Sequence, residues 1–411
     1  MTTKPPDLPS DLQRPAKGSR ERSATGDRLT AEDLLAGIDD PSPGDEDAPE
    51  SEAEHHAPTG DGTFPCEKCG ADLRFKPGLA SLGCEYCGHT NPIPEREDQI
   101  RELDFDAYLA KLESSGDDAE TEDQSVLVCK TCGAQPEVDE GVTSAACPFC
   151  GSAIVTQATS RRLIKPKALL PFAVDRAAAR SLFRKWISSR WFAPNELKRS
   201  ARIDGKLAGV YLPHWTFDAN TVTVYRGKRG VTRTTGTGKN RRTYTRWTSV
   251  SGVIVHDFDD VLVRASNSVP RKQADELEPW DMNNLVPYDD GYLAGFGAEA
   301  YAIDLREGWG FATMAMDAHI RRLICRDIGG DKQRITSKKT EHRGVTFKHI
   351  LLPVWISAYR YRGKVYRFLV NGRTGEVQGE RPWSWWKIAL AVLAVAAVLG
   401  TGFLLVNIYG G

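Results

Sequence analysis

The sequence predicts a multidomain chain: two small β zinc ribbons, a duplicated α+β region with antiparallel sheets, and a C-terminal transmembrane helix. Three observations carry this expectation. A Cys-x-x-Cys-Gly pattern occurs four times between Cys66 and Cys150. A Leu-Pro-x-Trp segment with similar surroundings occurs twice, at Leu212 and at Leu352. Residues Ile388 to Ile408 form an apolar run of 21 residues.

The cysteines are the most informative residues. Cys66 and Cys69 are separated from Cys84 and Cys87 by fourteen residues, and the same spacing separates Cys129 and Cys132 from Cys147 and Cys150. Two residues between thiolates let both sulfurs face one ion, and the Gly that follows permits the positive φ of the turn around it. Each pair is therefore a zinc knuckle, and two knuckles close a tetrahedral site. The expected cofactor is zinc, two structural ions per chain, because four thiolates leave no coordination position open for water or substrate. Disulfide pairing is the competing reading; the metal-type spacing and the absence of an opening secretion signal argue against it. A ribbon of this size cannot bury an adequate core, so the ion should contribute on the order of 10 kcal/mol to its folding. His89 reads as a turn residue beside a knuckle. The ninth cysteine, Cys325, reads as a core residue of a helix.

With 411 residues the chain can hold two or three domains, and a net charge of −1 gives no global pull toward nucleic acid. Residues 1–60 contain no aromatic residue, and from Thr30 onward they carry ten acidic residues and no Lys or Arg. They read as a disordered acidic tail, interrupted by a short helix-forming island from Leu29 to Ile38. Zinc ribbon 1 is placed at 61–95. A helix and an acidic linker follow at 96–124, with Ile100, Leu103, Ala107, Tyr108 and Leu112 near helical spacing, which makes the ribbons independent modules. Zinc ribbon 2 occupies 125–158.

The first α+β unit spans 161–278. Leu169-Leu170-Pro171-Phe172 precedes a helical run over 175–189 with Asp175 as its N-cap, and Tyr211 to Ala219 then forms a strand. The second unit, 279–382, repeats the order. Leu285-Val286-Pro287-Tyr288 precedes a helical run beginning near Gly297, and Leu351 to Ala358 forms the strand. Asn371 to Gly375 is a turn between strands. The run 388–408 would be about 31 Å long as a helix, enough to cross a bilayer. Trp383, Trp385 and Trp386 supply an interfacial belt, and Arg381 and Lys387 flank the run only on its N-terminal side, which leaves the preceding chain in the cytoplasm.

One stretch is basic. Ala219 to Val255 has no acidic residue and carries Arg226, Lys228, Arg229, Arg233, Lys239, Arg241, Arg242 and Arg246. It reads as a long β-ribbon with its tip at Thr234 to Asn240. Three readings stay open: a solvated hairpin, a surface for anionic lipid near the anchor, and a nucleic-acid surface with Tyr244 and Trp247 as stacking residues. Gly236-Thr237-Gly238-Lys239 is not a Walker A loop, since Arg233 stands where a Gly is needed and Asn240 where Ser or Thr is needed. Gly295 to Ala300 reads as a helix start, and Asp257, Asp259 and Asp260 as a strand-end turn. His214, His256, His319, His342 and His349 are too scattered in sequence to place in one site. No constellation supports catalysis, so the chain is expected not to be an enzyme.

The ribbons, Tyr211-Leu212-Pro213-His214-Trp215-Thr216-Phe217-Asp218, Phe258-Asp259-Asp260-Val261-Leu262-Val263, Leu293-Ala294-Gly295-Phe296 and the terminal apolar run together resemble a family of bacterial membrane proteins. That family is described as TFIIB-type zinc-ribbon-containing and is often labelled as similar to the primosomal replication-restart helicase. The helicase label does not carry over, because the chain lacks a nucleotide-binding loop and room for a two-lobed motor. The resemblance implies scaffolding beside flotillin-like or phage-shock-type membrane proteins. The expected function is thus a tail-anchored, cytoplasmic-facing zinc-ribbon adaptor at the cell membrane that binds protein partners through its ribbons. The alternative is a membrane-tethered nucleic-acid-binding protein using the ribbons and the hairpin 226–246.

Overall fold

The two Leu-Pro-x-Trp segments meet side by side. In the computed structural model, Tyr211, Leu212 and Pro213 lie opposite Pro353, Leu352 and Leu351 on two antiparallel strands, β10 (Ala208–Thr235) and β14 (Lys332–Tyr361). The structure describes residues 64–94, 100–114, 120–138, 144–155, 158–194, 207–236, 238, 241–361 and 364–409. The acidic tail 1–60, with its Leu29–Ile38 island, and Thr237, Lys239 and Asn240 of the hairpin tip lie outside the described residues.

This pairing relates the two repeats by a local twofold through Leu212 and Leu352. Each proline sits where its missing N–H costs least. The Pro213 carbonyl accepts from Ala265 N at 3.0 Å and the Pro353 carbonyl from Gly372 N at 2.8 Å, each at the point where the outer strand leaves the ladder. The outer strands are β11 (Arg242–Arg264) beside β10 and β15 (Lys364–Asn371) beside β14, with β16 (Val377–Gly379) beyond, giving the order β11-β10-β14-β15-β16 in a nine-stranded sheet. Short strands complete it: β4 (Leu103–Asp104), β9 (Ala168–Leu169), β12 (Val286–Pro287) and β13 (Gly297–Ala298), and a one-turn helix α3 (Arg271–Asp275) follows β11.

The repeats interlock through their tryptophans. Trp215 donates its indole N–H to the Ile303 carbonyl at 3.0 Å, immediately before Asp304, which caps helix α4 (Leu305–Ile328). Trp355 donates to the Val174 carbonyl at 2.8 Å, immediately before Asp175, which caps helix α2 (Arg176–Ser189). Each repeat thus holds the start of the other repeat's helix, so a boundary at 278/279 cuts between packing partners and does not delimit two separate units. Asp175 is the N-cap predicted for it, its carboxylate accepting from Ala178 N at 2.7 Å. The second helix begins at Leu305 rather than near Gly297, because Gly297–Ala298 is drawn into the sheet beside Val210–Tyr211.

The expectation of independent ribbons is corrected in the same way. Ribbon 1 consists of β1 (Leu73–Phe75), β2 (Ser81–Cys84) and β3 (Thr90–Pro92), and its Phe75 ring lies 5.2 Å from Tyr292 and 6.2 Å from Phe296. Phe75, Leu73 and Leu82 share one core with Phe172, Phe183, Tyr211 and Trp355. Ribbon 2, built on β6 (Ser144–Ala146) and β7 (Ala153–Val155), packs its Leu127, Phe149 and Ile154 against Val210, Leu212, Val354 and Ile356. Those residues alternate along the strands with Tyr211 and Trp355, so the ribbons cover opposite faces of the sheet. The acidic linker is structured where it is described: Thr121–Val126 forms β5, paired with β8 (Thr159–Ile164), and the preceding helix α1 spans Phe105–Glu113. The described residues all belong to one compact unit.

Beyond this core the three long strands continue as an arm. β10, β11 and β14 are 28, 23 and 30 residues long, so β10 spans about 90 Å. Helix α4 lies along one face, where Ile320, Ile324 and Ile328 bury Tyr225. The other face carries exposed Val224, Val253 and Val255. Cys325 is half-exposed on α4, not the core residue expected.

Close approach of α4 to the sheet depends on Gly308. A Cβ there would stand 2.7 Å from Cδ1 of Trp215, a ring fully buried and held by its hydrogen bond. Gly308→Ala should therefore lower stability by about 1–3 kcal/mol in denaturant unfolding, despite its favourable helix propensity. An unchanged midpoint would mean that α4 does not pack on Trp215.

Candidate metal centres and the basic hairpin

The four knuckles are copies of one turn. Gly70, Gly88, Gly133 and Gly151 have φ of 75, 72, 76 and 71°. In each, the glycine N–H donates to the carbonyl of the first cysteine, at 2.8, 3.1, 2.8 and 2.9 Å. The first cysteine's own N–H returns to the residue after the glycine: Ala71, His89, Ala134 and Ser152. His89 serves the turn through its carbonyl, as its position predicts.

The turns bring together the thiols that the spacing pairs. Sγ separations are 3.6 Å for Cys66–Cys87, 3.5 Å for Cys69–Cys84, 3.6 Å for Cys129–Cys150 and 3.6 Å for Cys132–Cys147. Within each set all four sulfurs lie within 4.8 Å of one another, and all are free thiols. A tetrahedral ion with bonds of about 2.3 Å sets its sulfurs about 3.8 Å apart, so both sets fit an ion of that size. The sets differ in setting. Each set has two buried thiols, Cys66 and Cys84 in the first and Cys129 and Cys147 in the second, but Cys69 of the first is exposed whereas Cys132 and Cys150 of the second are partly buried. Within the second set the Cys132 thiol is lowered to about 5, chiefly by the hydrogen bond from Cys147, whose own thiol is pushed up by the same bond. A divalent ion would displace these shared protons.

Ribbon 2 is joined to the body by a carboxylate that the sequence did not single out. Glu299 is buried, accepts 2.7 Å hydrogen bonds from the Ser266 and Ser268 hydroxyls, and accepts the Gln135 N–H at 3.2 Å. Burial pushes its carboxyl up to about 7. Backbone bonds flank it: Glu137 N to Ala298 O at 3.0 Å and Ala300 N to Gln135 O at 2.9 Å. Gly295 to Ala300, expected to start a helix, instead contains β13 and the Glu299 bridge to Pro136 that receives ribbon 2.

A second polar cluster was only partly visible in the sequence: Asp257, Asp259 and Asp260, expected in a strand-end turn, lie within β11 instead, and two of them meet residues from distant segments. Carboxylate oxygens of Glu102, Asp218 and Asp259 lie within 4.8 Å of one another. The buried Lys348 amine stands 3.0 Å from Glu102 and 2.8 Å from Asp260. Glu102 is lowered to about 2, first by its hydrogen bond with Asp218, while burial raises Asp218 to about 6. The five residues are scattered in sequence, and a bulge at Asp218 with Asp260 at φ 50° aims them together. The histidines do not converge on one site, although His256 and His319 stack at 4.8 Å. Burial lowers His214 and His349 to about 4, leaving both neutral inside the core.

The basic residues form the predicted ribbon but not one patch. β10 and β11 pair from His214↔Arg264 to Thr235↔Arg242. Strand alternation puts Arg226 and Lys228 on the face opposite α4, and Arg229, Arg233, Arg242 and Arg246 on the face that α4 occupies further along. Arg229 is engaged, its Nε donating at 2.5 Å to the Ile328 carbonyl at the end of α4. Arg241 is exposed beside the tip.

Fold and sites define a sheet-based body carrying two four-thiolate centres and followed by helix α5 (Trp385–Tyr409), which is long and apolar enough to cross a membrane. The chain is similar to "Uncharacterized protein YdjG" of Bacillus subtilis (strain 168), 28% identical over 353 residues, covering 83% of this chain and 99% of that protein. No family model and no solved structure matches the chain.

Two outcomes follow. Metal analysis of the purified chain should give two ions, with Cys66→Ser and Cys129→Ser each losing one and each costing several kcal/mol, because both sites lie in cores shared with the body. Wild-type stability in either variant would contradict the integration of that ribbon. The Glu299 carboxyl is raised from its ordinary 4.5 to about 7, so the folded chain keeps a proton that the unfolded chain releases, and stability should fall as pH rises through that window. Thermal unfolding across the window should show this fall, and Glu299→Gln should reduce it, leaving the part carried by Glu137, which burial raises to about 8.

Proposed function

We propose that the protein is a membrane-anchored zinc-ribbon adaptor, with zinc in both thiolate centres, α5 crossing the membrane, and the body on its cytoplasmic side presenting the arm to a protein partner. The observation that carries this reading is the outer edge of the arm. β11 ends the sheet order, so among the described residues the backbone from Arg242 to Asp257 has no strand beside it on its outer side. An unpaired edge of this length is a template for an added strand. Beside it, Val224, Val253 and Val255 are exposed on the face that α4 leaves open, with Arg226 and Lys228 continuing the row. The ribbons, expected to capture the partner, are better suited to bracing the sheet, since their apolar residues are spent on its two faces.

The nucleic-acid reading finds less support, because the basic side chains are divided between two faces and Arg229 is engaged by α4. Tyr244 and Trp247, though exposed, fall on opposite faces.

Affinity capture of the full chain from bacterial membranes, repeated with the double variant Val253→Asp/Val255→Asp, tests the proposal. The double variant should lose the partner while keeping two zinc ions and its membrane association. Loss with Cys66→Ser alone would return partner capture to ribbon 1. DNA binding whose log K falls with log[salt] at a slope near about −5, as about six neutralised phosphates would give, and which Arg241→Glu/Arg242→Glu abolishes, would replace the adaptor reading.

A further inference from the structure

The first turn of α5 is bonded to a distant part of the body. Lys387 Nζ donates to the carbonyls of Trp191 and Ala193 at 3.0 and 2.8 Å. Ser384 N donates to the Phe192 carbonyl at 2.9 Å, and the Phe192 and Trp383 rings lie 6.3 Å apart. Ala193 is buried, and its N–H closes a turn onto Arg190 O at 3.0 Å. Residues 190–193, which follow α2, are thus clamped to residues 383–387. A cation in the first turn of a helix opposes the helix dipole; the two carbonyls solvate the Lys387 ammonium at that position. A helix so attached leaves the body at a set angle and does not swing on a flexible linker.

The clamp gathers exposed tryptophans. Trp191, Trp383, Trp385 and Trp386 are 74, 53, 79 and 78% exposed. They are four of the ten tryptophans in the chain. Trp191 is the informative one, because it lies far from the anchor in sequence and reaches the junction only through the fold. Two guanidinium groups share the place: Arg190 stacks over Trp186 at 4.9 Å and Arg381 over Trp383 at 4.7 Å. Large rings with one polar N–H, interleaved with Arg, match the boundary where acyl chains meet phosphate headgroups.

We propose that the turn 190–193 is a second membrane contact: Trp191 inserts at the headgroup boundary together with the anchor's own tryptophans, and the body rests on the bilayer in one fixed orientation. The inference rests on α5 crossing the bilayer. Its partner is the phospholipid interface, recognised through apolar ring area and phosphate.

A photo-cross-linking phenylalanine analogue placed at Trp191, Leu390 or Tyr86 of the full chain, in vesicles of phosphatidylcholine and phosphatidylglycerol, tests it. Leu390 lies on α5, and Tyr86 is an exposed residue of ribbon 1. Lipid adducts are expected at 390 and 191 and not at 86, and Lys387→Met should cause loss of the adduct at 191 while that at 390 remains. An adduct at 390 without one at 191 would overturn the proposal and leave the anchor standing. No adduct at 390 would overturn the anchor reading and this inference with it. A 191 adduct that survives Lys387→Met would overturn the fixed orientation.

Discussion

The pairing of Leu212 with Leu352 is the contact on which the rest of the molecule depends. It places the two repeats antiparallel at the centre of one sheet, and every other symmetric feature follows from it. The two prolines can occupy central strands because their nitrogen sides face the places where β11 and β15 depart. The two tryptophans fall on one face, where each reaches the backbone just ahead of the other repeat's helix cap. Neither repeat completes its own core. An isolated repeat would leave a buried-type indole without its acceptor and an apolar helix face without its strand, losses comparable to the marginal stability of a small domain.

The thiolate centres extend this logic. A ribbon alone has too little apolar surface to fold, and here each lends what it has to the common core. Phe75 and Leu82 fill the helix face; Leu127, Phe149 and Ile154 cover the other. Ion binding and body stability are therefore linked, and the second centre is tied in further by the Gln135 N–H bond to Glu299. The body so braced projects the arm on one side and bonds the first turn of α5 at another.

The local chemistry was legible in the sequence. The cysteine spacing with its glycines foretold four identical turns, the Asp175 cap foretold α2 to within a residue, and the apolar run foretold α5. What was not legible was long-range. A duplicated pattern reads equally well as two domains in a row or as two halves exchanged, since both satisfy the same periodicity. The acidic stretch before Val126 looked like a linker because its strand β5 pairs only with β8 and buries no side chain fully before Val126. Gly295 to Ala300 mimicked a helix start, yet the cap lies at Asp304. Glu299 carries no local signal, and of the Glu102–Asp218–Asp259 group only Asp259 stood out, in the acidic stretch 257–260, because the partners come from distant segments. The basic run was read correctly as a ribbon, but alternation splits its charges between two faces, which a composition count cannot reveal.

Hydrogen exchange on the full chain, comparing wild type with Cys129→Ser, tests most directly whether the ribbons and the interlocked repeats form one cooperative body. Loss of protection should extend from ribbon 2 to the amides of Val210, Leu212, Val354 and Ile356, which lie on the central strands that ribbon 2 covers. Exchange that accelerates only within residues 127–155, with those central amides unchanged, would contradict the account and make the ribbon a separable module.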